Sequence, residues 1–362
     1  MVIMKNNDNI SWEELSNFVY QSFSAVGVPH EDAVICTNVL IETEMRGIET
    51  HGLSRLKPFY IDKIMSGDIN PTPRIKTEQK VSVAATIDGD NGLGMLVATK
   101  AADTAILMGH EHGMGTVSVK NSNHLGALGH YTYDIASADL IGIAGTNSRP
   151  LVAPHGSTEP ILGTNPMAFA FPTNDDEPLF NFDTASSSIS RGTIEKLARE
   201  GKATPTGLVI GNDGSFLTDS KKILQGLSDG TCAIVPFGEH KGSGFATVVE
   251  ILSATLSGAS FAKDLGKKDN NGIGHFFIAM NPAVFNVSIE EFKDRTTEIL
   301  RHIRDSNERK GNNLAILTAG IRSQGRLAQS FNSDKKLDDH LKKDLVALRD
   351  GLKINKEFDF EK

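Results

Sequence analysis

The stretch Arg46-Gly-Ile-Glu-Thr-His-Gly-Leu-Ser-Arg55 sets two arginines, a histidine and a serine in one short break between apolar helical patterns. Side chains of this kind rarely crowd a loop for packing reasons. An imidazole titrates near neutral pH, so it suits proton transfer in either direction. A guanidinium presents a planar fork that grips a carboxylate through two parallel hydrogen bonds. His51 and Arg55, on a loop and the first turn of the next helix, can offer both groups to one small anion. Nothing beside them has the spacing of a metal partner.

Other segments also combine polar chemistry with permissive backbone. VKNSNHLGALGHY (Val119–Tyr131) runs from a strand into Asn121, Asn123 and His124 and then a glycine-rich helix start. GTNSRP (Gly145–Pro150) is followed by LGTNP (Leu162–Pro166), then FDTASSSISRG (Phe182–Gly192) and PFGEHKGSG (Pro236–Gly244). Each has a plain structural reading. A histidine after a strand satisfies a loop, Asn and Gly make turns, Asp183 caps a helix and Lys241 is solvated. Their joint presence points to a site.

The elements that must position these residues follow from periodicity. Ser11 and Glu14 form a capping box ahead of a helix that Gly27 and Pro29 end. Helices are expected over Glu31–Met45, from Leu53 to Gly67, and over Met95–His112, Gly126–Ala138, Phe245–Ser257, Ile289–Asp305 and Lys335–Leu348. Strands are expected over Lys80–Ile87, Thr116–Lys120 and Leu140–Thr146. That alternation predicts an α/β core, a sheet covered by helices. The closing residues, Lys353–Lys362, read as a loosely held tail.

With 362 residues, of which 39% are hydrophobic, the chain can bury a large core. A net charge of −8 with dispersed Lys and Arg excludes a nucleic-acid footprint. The two cysteines, Cys36 and Cys232, sit far apart in no ligand spacing, which suits a reducing compartment and no metal. The start, MVIMKNNDNISWEEL, lacks the apolar run of a secretory signal, and the least charged long stretch, Phe245–Ala262, reads as a buried core helix and not a membrane span. A soluble cytoplasmic protein that touches neither membrane nor nucleic acid is the expectation. The pairs Gly92/Gly94, Gly113/Gly115 and Gly242/Gly244 all lack the third glycine of the dinucleotide fingerprint, and no phosphate-loop motif occurs. If a dinucleotide binds, a standard Rossmann turn does not hold it.

Taken in order, RGIETHGLSR, NSNHLG, TNSRP with LGTNPMAF, DTASSSISRG and PFGEHKGSGFATVVEIL resemble the malate/L-lactate dehydrogenase family that lacks a Rossmann fold. The resemblance runs from about residue 11 to 350, with Thr50 where the family has serine and Ser243 where it has tyrosine. It implies a non-Rossmann mixed sheet covered by helices, with a helical lobe from the two ends of the chain. Residues 1–75 would carry the His51 loop, completed by helices within 285–350. Residues 76–284 would form the nucleotide- and substrate-binding region, and 351–362 the tail.

It implies hydride transfer between NAD or NADP and an L-2-hydroxy acid or its 2-oxo acid, with malate and oxaloacetate as the expected pair. Lactate, sulfolactate, ureidoglycolate, diketogulonate or cyclic imino acid chemistry is the alternative within the family. A non-redox lyase or hydrolase on a carboxylate, or a binding protein on the same scaffold, is the alternative outside it. His51 is assigned as acid/base and Arg55 as the carboxylate anchor, with His124 the rival for the proton. Otherwise His124, Leu125, Gly126, Ala127 and Leu128 meet the cofactor, together with Phe182, Asp183, Thr184, Lys241 and Gly242. Thr164 is expected to touch substrate. Arg149 or Arg191 would meet the distal carboxylate of a dicarboxylate. The family also implies a homodimer.

Overall fold

The computed structural model describes residues 8–265, 267, 272–309, 311 and 314–361. A short strand, β1 (Asn9–Ile10), leads into helices α1 (Trp12–Ala25) and α2 (His30–Met45). The Ser11 hydroxyl caps α1 by accepting the Glu14 N–H at 3.1 Å. The other half of the box does not form, because the Glu14 carboxylate is taken by the Asp359 N–H and by Lys356 near the chain's end. The helix expected from Leu53 is also different. Leu53–Arg55 is a 3₁₀ turn, Leu56–Ile61 widens to π, and only α3 (Asp62–Met65) is α-helical. Pro58 has no N–H for the ladder, and the wide turn absorbs that loss.

The strand expected over Lys80–Ile87 is instead a hairpin of β2 (Lys76–Val81) and β3 (Ala84–Asp88). Every residue of β2 is exposed, so no inward alternation marks it in the sequence. Then come α4 (Gly94–His112), β4 (Met114–Ser122), α5 (Leu128–Ser137), β5 (Ile141–Thr146), β6 (Met167–Phe171) and β7 (Phe180–Thr184). A smaller unit follows: α6 (Arg191–Arg199), β8 (Val209–Gly211), α7 (Ser220–Asp229) and β9 (Cys232–Ile234). The chain returns through α8 (His240–Glu250), β10 (Ile273–Met280), α9 (Ile289–Arg304), α10 (Ile321–Ser330), β11 (Lys335–Lys336) and α11 (Asp339–Leu352).

Seven strands form the main sheet in the order β2-β3-β4-β10-β5-β6-β7. Only β3 and β4 run parallel, with α4 as their crossover, and all other neighbours are antiparallel. This is the mixed, non-Rossmann sheet that the family resemblance implies. The late strand β10 enters its centre, where Phe277 lies opposite Val117 on one side and Ala144 on the other. The main core joins the sheet to α1, α2, α4, α5 and α11 through Phe18, Leu40, Tyr60, Tyr131 and Phe277, among others. A second apolar cluster, with Val152, Ile194, Val209, Ile223 and Ile234, holds the smaller unit around β8 and β9. The stretch read as one region, 76–284, therefore contains two cores.

The C-terminal segment departs most from expectation. Lys335 and Lys336 pair with β1 rather than opening a helix, and α11 begins only after Asp338, whose side chain accepts the Leu341 N–H. The tail is docked, not loose. Phe358 is fully buried, with its ring edge-on to Phe18 at 4.9 Å. Phe358→Ala should therefore cost about 3–5 kcal/mol of unfolding free energy. Urea denaturation monitored by circular dichroism checks this, and an unchanged midpoint would show that the end merely rests on the surface.

Candidate functional site

The loop after α2 places His51 and Arg55 against residues that arrive from three other parts of the chain. Arg55 is buried, with its side chain 11% exposed. Its Nε donates to the Thr50 carbonyl at 2.6 Å and its Nη2 to Glu195 Oε2 at 3.0 Å. The Phe59 ring lies 4.9 Å beneath the guanidinium. Glu195 also accepts from Arg191 Nε at 3.1 Å, so one carboxylate of α6 serves both arginines. Gly192 brings α6 this close, since a Cβ there would fall 2.8 Å from Thr50 and 2.9 Å from the Arg55 guanidinium.

His51 and His124 lie side by side, with ring centroids 5.7 Å apart and planes 13° from parallel. His51 Nδ1 is 3.0 Å from the Thr50 hydroxyl, so threonine performs the polar contact that the family's serine would offer. His124 Nδ1 receives the Gly126 N–H at 3.3 Å and lies 2.8 Å from the Tyr60 hydroxyl. A ring nitrogen that accepts carries no proton, which assigns the neutral His124 proton to Nε2. Burial lifts the Tyr60 hydroxyl's pKa far above its ordinary value, so it stays a donor.

Electrostatics keep both imidazoles neutral. Burial, then the Arg55 charge, lowers His51 to a pKa of about 4. His124 is pushed well down by burial first, and further by His51, Arg55, His275 and Lys63. Below them, His275 at the start of β10 is fully buried. Its Nδ1 is 2.7 Å from Thr146 Oγ1 and its Nε2 2.9 Å from Ser122 Oγ, which ties β4, β5 and β10 together. Burial lowers its pKa to about 3.

The strand-to-helix turn after β4 is built from main chain. Leu125, Gly126, Ala127 and Leu128 are buried, and Tyr131 donates its hydroxyl to the Leu125 carbonyl. Ala127 gives α5 no side-chain cap, and the Gly129 N–H donates instead to Asp183 Oδ2 at 2.8 Å. Asp183 keeps an exposed rim, yet protein crowds its carboxyl, and burial lifts its pKa to about 6 against that N–H. Phe182 is 43% exposed beside it, and Thr184 ends the strand. The Ser186 carbonyl then accepts the Phe237 N–H, whose own carbonyl accepts from Gly242. The 183–187 turn and the start of α8, with exposed Lys241, are thus neighbours. Glu239 gives α8 no side-chain cap, and the Ser187 hydroxyl is buried without a partner among the described residues. Uncapped helix starts, an orphaned hydroxyl and a nearby lysine fit the phosphates and ribose of a dinucleotide.

The two TN segments close the ring. Thr164 is half-buried, its N–H donating to Ser148 Oγ at 3.0 Å and its carbonyl accepting from Ser186. Buried Glu250 accepts from both Asn147 and Asn165, which fixes the two segments against α8. Arg149 is exposed, and its charge adds to burial in lowering the Lys63 pKa, so the two cations lie near one another. Ser243, standing where the family has tyrosine, accepts the His155 N–H at 2.7 Å. Sequence reasoning missed Tyr60, Lys63 and Glu195. Only Glu195 left a signal, an i,i+4 pairing with Arg191.

A family described as malate/L-lactate dehydrogenase matches residues 10–346. The chain is 40% identical to the malate dehydrogenase of Pyrococcus abyssi over 84% of each sequence. It is 38% identical to the L-sulfolactate dehydrogenase of Methanocaldococcus jannaschii, over 87% of this chain and 90% of that one. Among solved structures, malate dehydrogenase from Entamoeba histolytica superposes with a TM-score of 0.92 at 33% identity. That match covers 97% of this chain and 99% of the other.

The depressed histidines make stability depend on pH. Each binds its proton less tightly folded than unfolded, so below the ordinary value of 6.5 the unfolded chain takes up more protons. Stability should fall as pH drops from about 6.5 through 4. His124→Asn should flatten that slope by about one proton in urea titrations at stepped pH. An unaltered slope would mean that His124 is already protonated in the folded chain.

Proposed function

Because the chain belongs to the malate/L-lactate dehydrogenase family, we propose that it interconverts malate and oxaloacetate with NAD or NADP. The observation that carries this reading is a buried guanidinium set beside two neutral imidazoles, one of them on the same loop. The dinucleotide, when bound, accepts or supplies the hydride at C2. The His124–Leu128 turn, Phe182, Asp183, Thr184, Lys241 and Gly242 hold it.

Arg55 is the carboxylate anchor. Its Nε and one Nη2 donor are committed to Thr50 and Glu195, which leaves the remaining donors of the fork for substrate. His51 is the acid/base. The Thr50 hydroxyl steadies Nδ1, leaving Nε2 to take the proton of the substrate hydroxyl in oxidation and return it in reduction. The substrate carboxylate offsets the Arg55 charge that depresses His51 and so draws its pKa back toward neutrality. Substrate binding and proton uptake are thereby coupled. His124, with its proton on Nε2, offers a neutral donor to the same oxygen, and Thr164 closes the pocket.

Arg149 rather than Arg191 meets the distal carboxylate. Arg191 already shares Glu195, whereas Arg149 has no acidic partner among the described residues and lies near Lys63. The malate and sulfolactate named for the relatives both carry a second anionic group. The chain's partner is a second copy of itself. Val248, Ile251 and Leu256 leave an apolar flank along α8 and its continuation, each at least half exposed. The free, buried thiols of Cys36 and Cys232 suit the cytoplasm.

A panel of 2-oxo acids with NADH or NADPH, followed by the reduced cofactor's near-ultraviolet absorbance, tests the reaction. Oxaloacetate should give the fastest decay, and unchanged absorbance with every acid would refute the reading. His51→Ala should lower kcat by about 10³-fold with cofactor affinity kept. Arg149→Ala should lower kcat/KM for oxaloacetate about 10–100-fold and barely alter that for pyruvate. Equal losses would remove Arg149 from the distal site. Val248→Glu should shift sedimentation from dimer to monomer, and an unshifted dimer would place the interface elsewhere.

A further inference from the structure

The His51 loop runs between the end of α2 and the short turn at Leu53–Arg55, and four contacts from one distant segment converge on it and on the last residues of α2. Ser330 Oγ, at the end of α10, donates to the Met45 carbonyl at 3.2 Å. Arg326 Nη1, one turn earlier, donates to the Gly47 carbonyl at 3.1 Å. Lys335 Nζ, on β11, meets Glu44 Oε1 at 2.6 Å and Glu49 Oε1 at 3.2 Å. The other Glu44 oxygen accepts the Leu53 N–H at 2.9 Å, at the start of the turn that carries Arg55. Gly52 makes room for it, since a Cβ there would fall 2.0 Å from Glu44 Oε2.

This is a buried relay. The Glu44 side chain is 2% exposed and that of Lys335 14%. Burial draws the lysine pKa down, but Glu44 and then Glu49 outweigh it and raise it, so Lys335 stays charged. β11 is itself anchored, because Lys335 stands opposite Ile10 in the β1 pairing. One carboxylate thus joins the C-terminal segment to the backbone between His51 and Arg55.

We propose that Lys335 is a positioning residue: through Glu44 it holds the His51–Arg55 loop in register with the opposing His124 wall. The inference rests on the reading of His51 and Arg55 given above. The balance of forces follows from charge. Removing Lys335 alone leaves the Glu44 carboxylate buried and unpaired, so it must turn toward water and release the Leu53 N–H. Removing both charges together relieves that penalty. A glutamine at 44 still has an oxygen to accept from Leu53.

The experiment compares full-length Lys335→Met, Glu44→Gln and the double variant, at a temperature below every Tm, with His51→Ala alongside. Lys335→Met should lower kcat/KM for the 2-oxo acid roughly 10–100-fold, with reduced-cofactor affinity unchanged. Amide exchange should quicken across 46–55. The double variant should return to within roughly threefold of wild type. Wild-type turnover in Lys335→Met overturns the proposal, as does a double variant that regains Tm but stays slow. A normal Lys335→Met beside an inactive His51→Ala defeats this inference alone. An active His51→Ala defeats the reading on which it rests.

Discussion

A guanidinium drawn out of water governs this site. Among the described residues Arg55 pairs with one carboxylate, which it shares with Arg191, so positive charge is left over where the chain gathers its histidines. In a partly desolvated region such excess raises the cost of any second cation and lowers the cost of an anion. Burial is the first reason that both neighbouring imidazoles are neutral, and this charge adds to it. The same imbalance makes a small carboxylate the natural occupant. Burial and this one charge therefore favour the same state, neutral imidazoles beside a bound anion.

The architecture exists to keep that charge and its companions in fixed relation. Strand β10 is the keystone, since it arrives late in the chain and carries His275 into the gap between β4 and β5. Those strands deliver His124 and the first TN segment. Glu250 then binds that segment to the second, and α6 closes on the His51 loop through Gly192 and Glu195. Polar groups are satisfied by one another at each joint, so the loops need no regular structure to stay in place.

The candidate motifs stood out because each sets polar chemistry at or beside a break in regular structure: His51 with Arg55, His124 before a glycine turn, Asp183 near the end of β7, Lys241 at a helix start. Long helices such as α2 and α4 were legible because their apolar spacing persists for several turns. The hairpin of β2 and β3 was not, because β2 buries nothing. Nor was the π turn at Leu56–Ile61, where Pro58 shifts the register and aims Tyr60 at His124. The C-terminal end was misread as loose because Phe358 and Phe360 are the only aromatics in a charged run, and the burial of Phe358 depends on Phe18 far away in the chain.

By itself, the sequence determined the residue chemistry, the mixed helix-and-strand pattern and the absence of a Rossmann fingerprint. Those are local properties, set by side-chain type and spacing over a few residues. Only the tertiary structure decided which nitrogen of His124 carries its proton and that Arg55 leans on Glu195. It alone brought Lys335 to Glu44 and split the α/β region into two cores. Each of these depends on a contact between residues remote in sequence. No local propensity encodes such a contact, because its free energy is gained only once the sheet has closed around β10.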